Sequence, residues 1–365
     1  MKKILGLFIA ALLAICPLAA SAVSVSAESA VLINGESGEV LYSKNADERR
    51  GPASTTKIMT ALVAIENCPI DKMVTVSPEA VGVEGSSVYL KANEKISMES
   101  LLYALLLSSA NDAAAAIAYE VAGGIPEFAE LMNEKAKSLG LENTHFANPH
   151  GLDDAEHYTT ARELALIARA ALENETFSKI VSTKKKTISI NGGEESRLLV
   201  NHNRLLFEYD DVVGVKTGYT KRCGRTLVSA AEKDGVHLIA VTLSDGNDWV
   251  DHRAMLDYGY EKIECVTLCK AGDFRRTLHV CGGEMSDVSV CTSECLTFTL
   301  PKDRGRIVAE LELPNFLYAP VCSGQVVGRV IFSLDGKIIG TTDVIASGNI
   351  DIKKNNRKGF LFWKK

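Results

Sequence analysis

The chain has 365 residues, of which 46% are hydrophobic, and its formal net charge is -6 with a pI near 5.8. This length and apolar content suit one large globular core with a smaller second domain, and they exclude a fibrous or disordered chain. The acidic balance argues against a nucleic-acid partner, because such a partner requires a basic face.

The first residues have the pattern of an export signal. Lys2 and Lys3 precede an apolar run over residues 4–20, and Ala20-Ser21-Ala22 supplies the small residues of a cleavage site. We therefore predict a signal peptide within residues 1–27 and an extracytoplasmic mature protein. An uncleaved membrane anchor stays open as an alternative, because short anchors have the same composition.

The sequence pattern of residues 28–262 predicts one α+β domain. An alternating pattern around Asn34-Gly35-Glu36-Ser37-Gly38 indicates a hairpin over residues 30–45. Apolar residues spaced three and four apart predict helices at residues 54–66, 98–107, 112–121, 126–139, 160–171 and 248–260. Strands are predicted at residues 186–190, 198–201, 214–217, 226–231 and 237–243. Strands at both ends of a helical middle suggest one antiparallel sheet, closed by its termini, with a helical subdomain.

The texture changes after residue 262. Short β-branched runs at residues 296–300, 306–313 and 325–334 predict a small all-β accessory domain over residues 263–350. The tail at residues 351–365 combines six lysines and arginines with Phe360, Leu361, Phe362 and Trp363. Such a tail suits contact with an anionic membrane surface, and a solvated free end is the equally open alternative.

Nine cysteines include Cys16 in the predicted signal, which leaves eight, and six of these lie beyond residue 264. Their spacing is not that of zinc sites and no histidine pair accompanies them, so we expect neither a metal nor a cofactor. Disulfides of an exported protein and buried free thiols both remain open.

The segment Pro52-Ala53-Ser54-Thr55-Thr56-Lys57 stands where a long helix is predicted to begin. Residues three apart share a helix face, so the Lys57 amine can reach the Ser54 hydroxyl. A serine needs a base to become a nucleophile, and a lysine can act as that base only when burial, the helix dipole or a second cation lowers its pKa. The free N–H of Ser54 at a helix start could also stabilise an oxyanion.

Two further segments complete the pattern. Ser109 and Asn111 flank Ala110 in a predicted break between helices, where a hydroxyl can relay a proton and an amide can bind a substrate carbonyl. Lys216-Thr217-Gly218-Tyr219 ends an apolar strand pattern. Its lysine and threonine suit a substrate carboxylate, and its glycine allows close backbone approach.

The same spacings recur elsewhere by chance. We interpret Ser182-Thr183-Lys184-Lys185 as the start of a solvated strand edge, and Ser347-Gly348-Asn349 as a turn. The first three segments differ from these because each stands in a fitting structural setting and in the order of a known signature.

Together the three segments resemble the signature of β-lactamases and penicillin-binding proteins. Residues 30–260 are most similar to the low-molecular-mass penicillin-binding proteins that act as serine-type D-Ala-D-Ala carboxypeptidases. The likeness extends to Gly51 before the first segment and to three further stretches: Asn148-Pro149-His150-Gly151-Leu152, His157-Tyr158-Thr159-Thr160-Ala161 and Gly214-Val215-Lys216-Thr217-Gly218-Tyr219-Thr220. The β-rich end and the basic aromatic tail also resemble that family's accessory domain and membrane-binding end.

The resemblance implies acyl transfer on the stem peptide of peptidoglycan, with β-lactam antibiotics as acylating inhibitors. Ser54 would be the nucleophile, Lys57 its base, and Ser109 with Lys216 the relay to the departing D-alanine. The N–H groups of Ser54 and Tyr219 would hold the oxyanion. Substrate binding would fall to Asn111, Lys216, Thr217, Gly218 and Tyr219.

Some relatives also bind the carboxylate with an arginine. Residues 201–204 and residues 251–253 each contain one arginine, and the sequence does not favour either. Cys223 departs from the alanine that is common in the family, and we expect no catalytic role for its thiol. His150 and His157 are interpreted as structural loop histidines.

Three other functions would retain the same three segments. A β-lactamase would require a glutamate for deacylation, and Glu130 is better explained as the surface of an amphipathic helix. An endopeptidase would differ only in the size of its leaving group, and a non-catalytic wall-binding scaffold would keep the site unused.

Overall fold

A computed structural model describes residues 23–354 of the chain. The predicted signal up to residue 22 and the tail from residue 355 lie outside the described residues. Within residues 23–354, no helix combines the length and apolar character needed to cross a membrane.

The strands before residue 244 build one central sheet and two small ones. Their bounds are β1 Ser29–Asn34, β2 Val40–Lys44, β3 Met73–Thr75, β4 Lys95–Ser97, β5 Lys185–Ile190, β6 Glu195–Val200, β7 Val212–Thr220, β8 Gly224–Lys233 and β9 Val236–Leu243. The central sheet is antiparallel with the order β2-β1-β9-β8-β7. The first strand thus pairs with β9, which confirms a sheet closed by its termini. The predicted strands near residues 186 and 198 pair only with each other, as β5 and β6.

Helices cover both faces of the central sheet. Their bounds are α1 Lys57–Asn67, α2 Met98–Leu107, α3 Asn111–Ala122, α4 Ile125–Ser138, α5 Ala161–Leu172, α6 Glu175–Val181, α7 Leu205–Glu208 and α8 Asp248–Lys262. Val31 and Ile33 of β1 pack into the core of the helical subdomain, whereas Ala30 and Leu32 pack into a second core with α8. Because strand side chains alternate between faces, β1 is buried on both sides.

Polar caps set several helix starts. Ser97 accepts a hydrogen bond from Ser100 N at 3.2 Å, and Thr160 accepts one from Glu163 N at 3.1 Å. Each satisfies a backbone donor that the first helical turn leaves free. Helices α2 and α5 therefore begin at residues 98 and 161, within one residue of the predicted starts.

The C-terminal part is all β, as predicted. Its strands are β10 Ile263–Cys269, β11 Arg276–Cys281, β12 Asp287–Thr292, β13 Leu296–Pro301, β14 Ile307–Glu312, β15 Phe316–Tyr318, β16 Val326–Leu334 and β17 Lys337–Ala346. Six of them form a sheet in the order β14-β16-β17-β12-β11-β15, and β10 pairs with β13. This part has its own apolar core, which includes Val290, Val330, Phe332 and Val344.

The cysteines add no cross-link to this fold. All eight that fall within residues 23–354 are free thiols. Over the same residues, no cluster of three histidine, cysteine or carboxylate side chains could hold a metal ion.

Candidate active site

Ser54 lies in a tight turn at the start of the first helix. The turn spans Ala53–Thr56 as a 3-10 helix and runs directly into α1. The sequence predicted a helix from residue 54, and the first turn is indeed wound more tightly than an α-helix. Ala53 has a φ of 49°, a conformation that a residue with a side chain rarely adopts. The contacts of this turn with its neighbours therefore have to hold it in place.

Lys57 is fully buried beside this serine. Its Nζ lies 2.9 Å from Ser54 Oγ, 2.7 Å from Asn111 Oδ1 and 2.6 Å from the carbonyl oxygen of His150. A neutral lysine amine has two N–H donors and one lone pair. Donation to Asn111 and His150 would leave that lone pair for the Ser54 proton.

The surroundings favour this neutral amine. Burial is the main cause that lowers the pKa of Lys57 well below its ordinary value, and the charge of Lys216 acts in the same direction. Asp112 opposes the shift without cancelling it. The site thus meets the condition under which a lysine can act as a base.

Strand β7 forms the opposite wall. Lys216 is buried, burial lowers its pKa to about 7, and its Nζ donates to Thr217 O at 2.8 Å. A Cβ added to Gly218 would lie 2.8 Å from Ser54 N and 2.3 Å from Thr226 Oγ1. Gly218 therefore allows β7 to approach the serine turn, in addition to the close substrate approach expected from the sequence.

Ser109 and Asn111 lie in the predicted break between α2 and α3. Ser109 has a φ of 57°, which turns the chain sharply at this point. The Asn111 side chain accepts from Lys57 and donates to Glu84 O at 2.5 Å. Its first task in this structure is to orient Lys57, whereas the sequence suggested substrate binding alone.

A loop around His150 completes the site, and the sequence identified only its family likeness. The His150 carbonyl contacts Lys57, and Thr60 Oγ1 donates to Pro149 O at 2.6 Å. A Cβ on Gly151, whose φ is 83°, would lie 2.0 Å from Ala53 O. The loop is therefore pressed against the serine turn.

Two buried histidines stiffen this contact. His157 Nδ1 accepts from Ala147 N at 3.0 Å, so its Nε2 can donate to Thr56 Oγ1 at 2.8 Å. Burial lowers the pKa of His157 to about 4 and that of His150 to about 3. Both rings are thus neutral near pH 7 and support backbone, as a structural role requires.

A cavity of about 290 Å³ opens onto the nucleophile. Its lining consists of Ser54, Ser86, Ser109, His202, Thr217, Gly218, Tyr219, Arg225, Asp248 and Trp249. One cavity thus joins the serine with members of the other two segments. Lys57, Asn111 and Lys216 stand behind this surface as buried residues.

The chance repeats of the pattern lie elsewhere. Ser182 donates to Ser178 O at 2.8 Å on the surface, and Asn349 Oδ1 accepts from Ser323 N in a turn. Glu130 is exposed on α4, as expected. The Cys223 thiol donates to Asp153 Oδ1 at 3.2 Å, and burial raises its pKa, which disfavours the reactive thiolate.

Both parts of the chain match models of known protein families. The family model for D-alanyl-D-alanine carboxypeptidases of the S11 peptidase type matches residues 17–247, and the model for the C-terminal domain of penicillin-binding protein 5 matches residues 264–351. The chain is 34% identical over 347 residues to the D-alanyl-D-alanine carboxypeptidase DacF of Bacillus subtilis, an alignment that covers 92% of this chain and 88% of the relative.

Solved structures show the same likeness. Penicillin-binding protein 5 of Haemophilus influenzae has a TM-score of 0.66 at 31% identity, with 90% of this chain and 98% of that one covered. The Streptomyces K15 DD-transpeptidase has a TM-score of 0.62 at 34% identity, and covers 65% of this chain and 98% of its own. The fold is that of the penicillin-binding serine hydrolases. This chain belongs to the D-alanyl-D-alanine carboxypeptidase family of that class.

The loop contact can be tested with two glycines. In Gly151→Ala the new methyl group would collide with Ala53 O, so the loop has to move and the His150 carbonyl leaves Lys57. Small misplacements of this kind cost about 10- to 100-fold in rate. We expect acylation by a labelled penicillin to slow at least about ten-fold.

Gly140→Ala is the matched control, because Gly140 has a similar φ of 74° but open space around its added Cβ. It should lose about 1 kcal/mol of stability and keep the acylation rate. Equal acylation rates in both variants would contradict the role given to the loop.

The buried histidines predict a pH dependence of stability. The pKa of His157 lies near 4 in the folded chain against an ordinary 6.5. The contribution of neutral His157 to the free energy of unfolding is therefore complete above pH 6.5 and is lost as the pH falls toward 4. His157→Asn keeps an acceptor for Ala147 N but cannot titrate. Between pH 6.5 and roughly 5, its free energy of unfolding should therefore fall less than that of the parent protein, by up to about 2 kcal/mol.

Urea unfolding at several pH values measures this slope. A His157→Asn slope identical to that of the parent would disprove the prediction.

Proposed function

We propose that this protein is a serine-type D-Ala-D-Ala carboxypeptidase that removes the terminal D-alanine from the peptidoglycan stem peptide. The observation that carries the proposal is the distance of 2.9 Å between Ser54 Oγ and a buried Lys57 amine whose pKa is lowered. The family membership supports the same reaction. The substrate would enter the cavity in front of Ser54.

In the acylation step, Lys57 takes the Ser54 proton as Oγ attacks the carbonyl carbon between the two D-alanines. The C–O bond of an ester forms and the carbonyl oxygen becomes an oxyanion. The backbone N–H groups of Ser54 and Tyr219 are the proposed donors to that oxyanion. Both residues line the cavity.

Collapse of the intermediate breaks the C–N bond and releases D-alanine. The proton passes from Lys57 to the leaving amine through Ser109 and Lys216. Lys216 suits a relay because burial places its pKa at about 7, so both protonation states are accessible near neutral pH. Water then attacks the ester with Lys57 again as base, which frees Ser54. Asn111, Thr217 and Gly218 would orient the peptide against β7.

β-Lactam antibiotics would acylate the same serine, and the resulting acyl-enzyme would hydrolyse slowly. A β-lactamase is the disfavoured alternative, because Asp248 is the one carboxylate among the described residues that line the cavity, and it is paired with Arg225. An endopeptidase would have to fit a larger leaving group into about 290 Å³. A non-catalytic scaffold would have no need of a base, so it does not account for the lowered pKa of Lys57.

The location follows the sequence pattern. We propose a signal peptide within residues 1–27 that is cleaved after Ala22, so that Ser26 stays with the mature protein. We further propose a catalytic domain over residues 28–262, an accessory domain over residues 263–350 and a membrane-contacting tail over residues 351–365. Extracytoplasmic action is supported by the family, whose substrate is cell-wall peptide.

Ser54→Ala should abolish both covalent labelling by penicillin and release of D-alanine from a pentapeptide. Ser182→Ala is the matched control, because Ser182 has a lysine three residues on but lies on the surface. It should behave as the parent. Mass spectrometry of the labelled peptide and an assay of free D-alanine measure the two activities; labelling of Ser54→Ala would refute the assignment.

The tail can be tested on vesicles that contain phosphatidylglycerol. The mature chain should bind them at low salt, and a chain that ends at Lys354 should bind at least about ten-fold more weakly, because each basic residue near such a surface contributes about 1 kcal/mol. Neutral phosphatidylcholine vesicles serve as the control. Equal binding of both chains to anionic vesicles would exclude the tail as the contact.

A further inference from the structure

The accessory domain exposes apolar and aromatic side chains along one edge. Phe316 and Tyr318 of β15 are 43% and 71% exposed, and their rings meet edge to face with centroids 5.2 Å apart. Met285, in the turn between β11 and β12, is 56% exposed. Single exposed apolar residues are common, but a group that includes two aromatic rings indicates an interaction surface. We call Met285, Phe316 and Tyr318 the apolar edge.

The described chain ends beside the apolar edge. Tyr318 lies opposite the last residue of β11, and the carbonyl of Gly282, which follows that strand, accepts a hydrogen bond from Lys353 N at 2.9 Å. Ile352 bridges to Gly283 and adds a further exposed apolar side chain. The chain therefore continues toward its C-terminus from a point next to the apolar edge.

The charges around this point favour an anionic partner. Six basic residues occur from Lys353 to the C-terminus, and they outnumber the three acidic residues at the edge, Glu284, Asp287 and Asp351. The eleven residues 355–365 can span at most about 40 Å. Any surface that the tail binds is therefore within reach of the apolar edge, and the basic charge draws a surface of anionic lipids.

The apolar edge lies at the end of the accessory domain that is remote from the catalytic domain. Lys302 N donates to Lys262 O at 2.8 Å, where α8 of the catalytic domain ends. On the same side, a Cβ added to Gly340 near the start of β17 would lie 2.6 Å from the Phe298 ring of β13. Strand β17 runs from Gly340 to Ala346, a distance of about 20 Å, before the chain reaches the apolar edge.

We propose that the apolar edge inserts into the interfacial layer of the anionic membrane that the tail contacts, and that it supplies an apolar component of membrane binding from the folded domain. This inference rests on the tail contact proposed above. Aromatic rings favour the boundary between lipid and water, and stable attachment of a protein to a membrane generally requires two contacts. Two contacts also restrict the orientation of the domain, which a tail alone leaves free.

The test measures binding of the mature chain to phosphatidylglycerol vesicles at low salt and at roughly 0.5 M salt, where the Debye length is only about 4 Å. Phe316→Ser combined with Tyr318→Ser should weaken binding at least about ten-fold at both salt concentrations, because salt does not screen the burial of apolar area. The chain that ends at Lys354 should differ from the parent mainly at low salt. Tyr318→Trp should keep the parent's affinity, and brominated phospholipids should quench its added fluorescence.

Val308→Ser combined with Ile338→Ser is the matched control. Both residues are exposed and pair with Ser333 from its two sides, at the opposite end of the same sheet. This control should bind as the parent does, and circular dichroism like that of the parent checks that each variant is folded.

Equal binding by the edge variant and the parent at both salt concentrations, or a fluorescence of Tyr318→Trp that brominated lipid leaves unquenched, would overturn the proposal. Either result would indicate that another occupant, such as the tail itself or a second copy of this chain, covers the apolar edge, and would leave the tail contact intact. An equal loss in the control variant would also overturn it. A parent chain that binds no anionic vesicles would instead show that the proposed tail contact is wrong, and this inference with it.

Discussion

The burial of one lysine amine is the constraint on which the site depends. An ammonium removed from water is costly, and the structure relieves that cost by favouring the neutral form of Lys57. A buried neutral amine still needs partners for two N–H groups and a lone pair. Asn111, His150 and Ser54 meet that need from three different segments of the chain. The same hydrogen bonds therefore satisfy the buried amine and prepare it to activate the serine.

The segments that carry these partners are fixed by polar contacts of their own. Asp112 accepts from Val88 N and Leu90 N, which ties the loop before β4 to the start of α3. His157 and Thr56 link the His150 loop to the serine turn. Because these groups are buried, removal of any one leaves an unpaired donor or acceptor at a cost of about 1–3 kcal/mol. The site is rigid because its supports cannot rearrange cheaply.

Sequence reasoning succeeds here where an interaction is local and fails where it is long-range. The spacing of Ser54 and Lys57 is one helical turn, and the apolar run of Val212, Val213 and Val215 indicates a strand, so both can be predicted from pattern. Helix α6 was missed because its seven residues are too few for a periodic signal. The contact of the His150 carbonyl with Lys57 spans 93 residues, and a backbone oxygen leaves no trace in side-chain patterns. The serine was thus predictable, while the means of holding its base was not.

The far wall of the cavity depends on the other end of the domain. Ser26 donates through its backbone N at 2.5 Å and its Oγ at 2.7 Å to Asp251 Oδ2, and Oγ lies 2.9 Å from Asp245 Oδ1. Asp245 in turn fixes the Arg225 backbone. Two carboxylates this close in a buried place repel each other, and burial raises the pKa of Asp245. The donors of Ser26 offset that repulsion, so the first residues of the described chain help to hold α8 and β8 where they meet the substrate cavity.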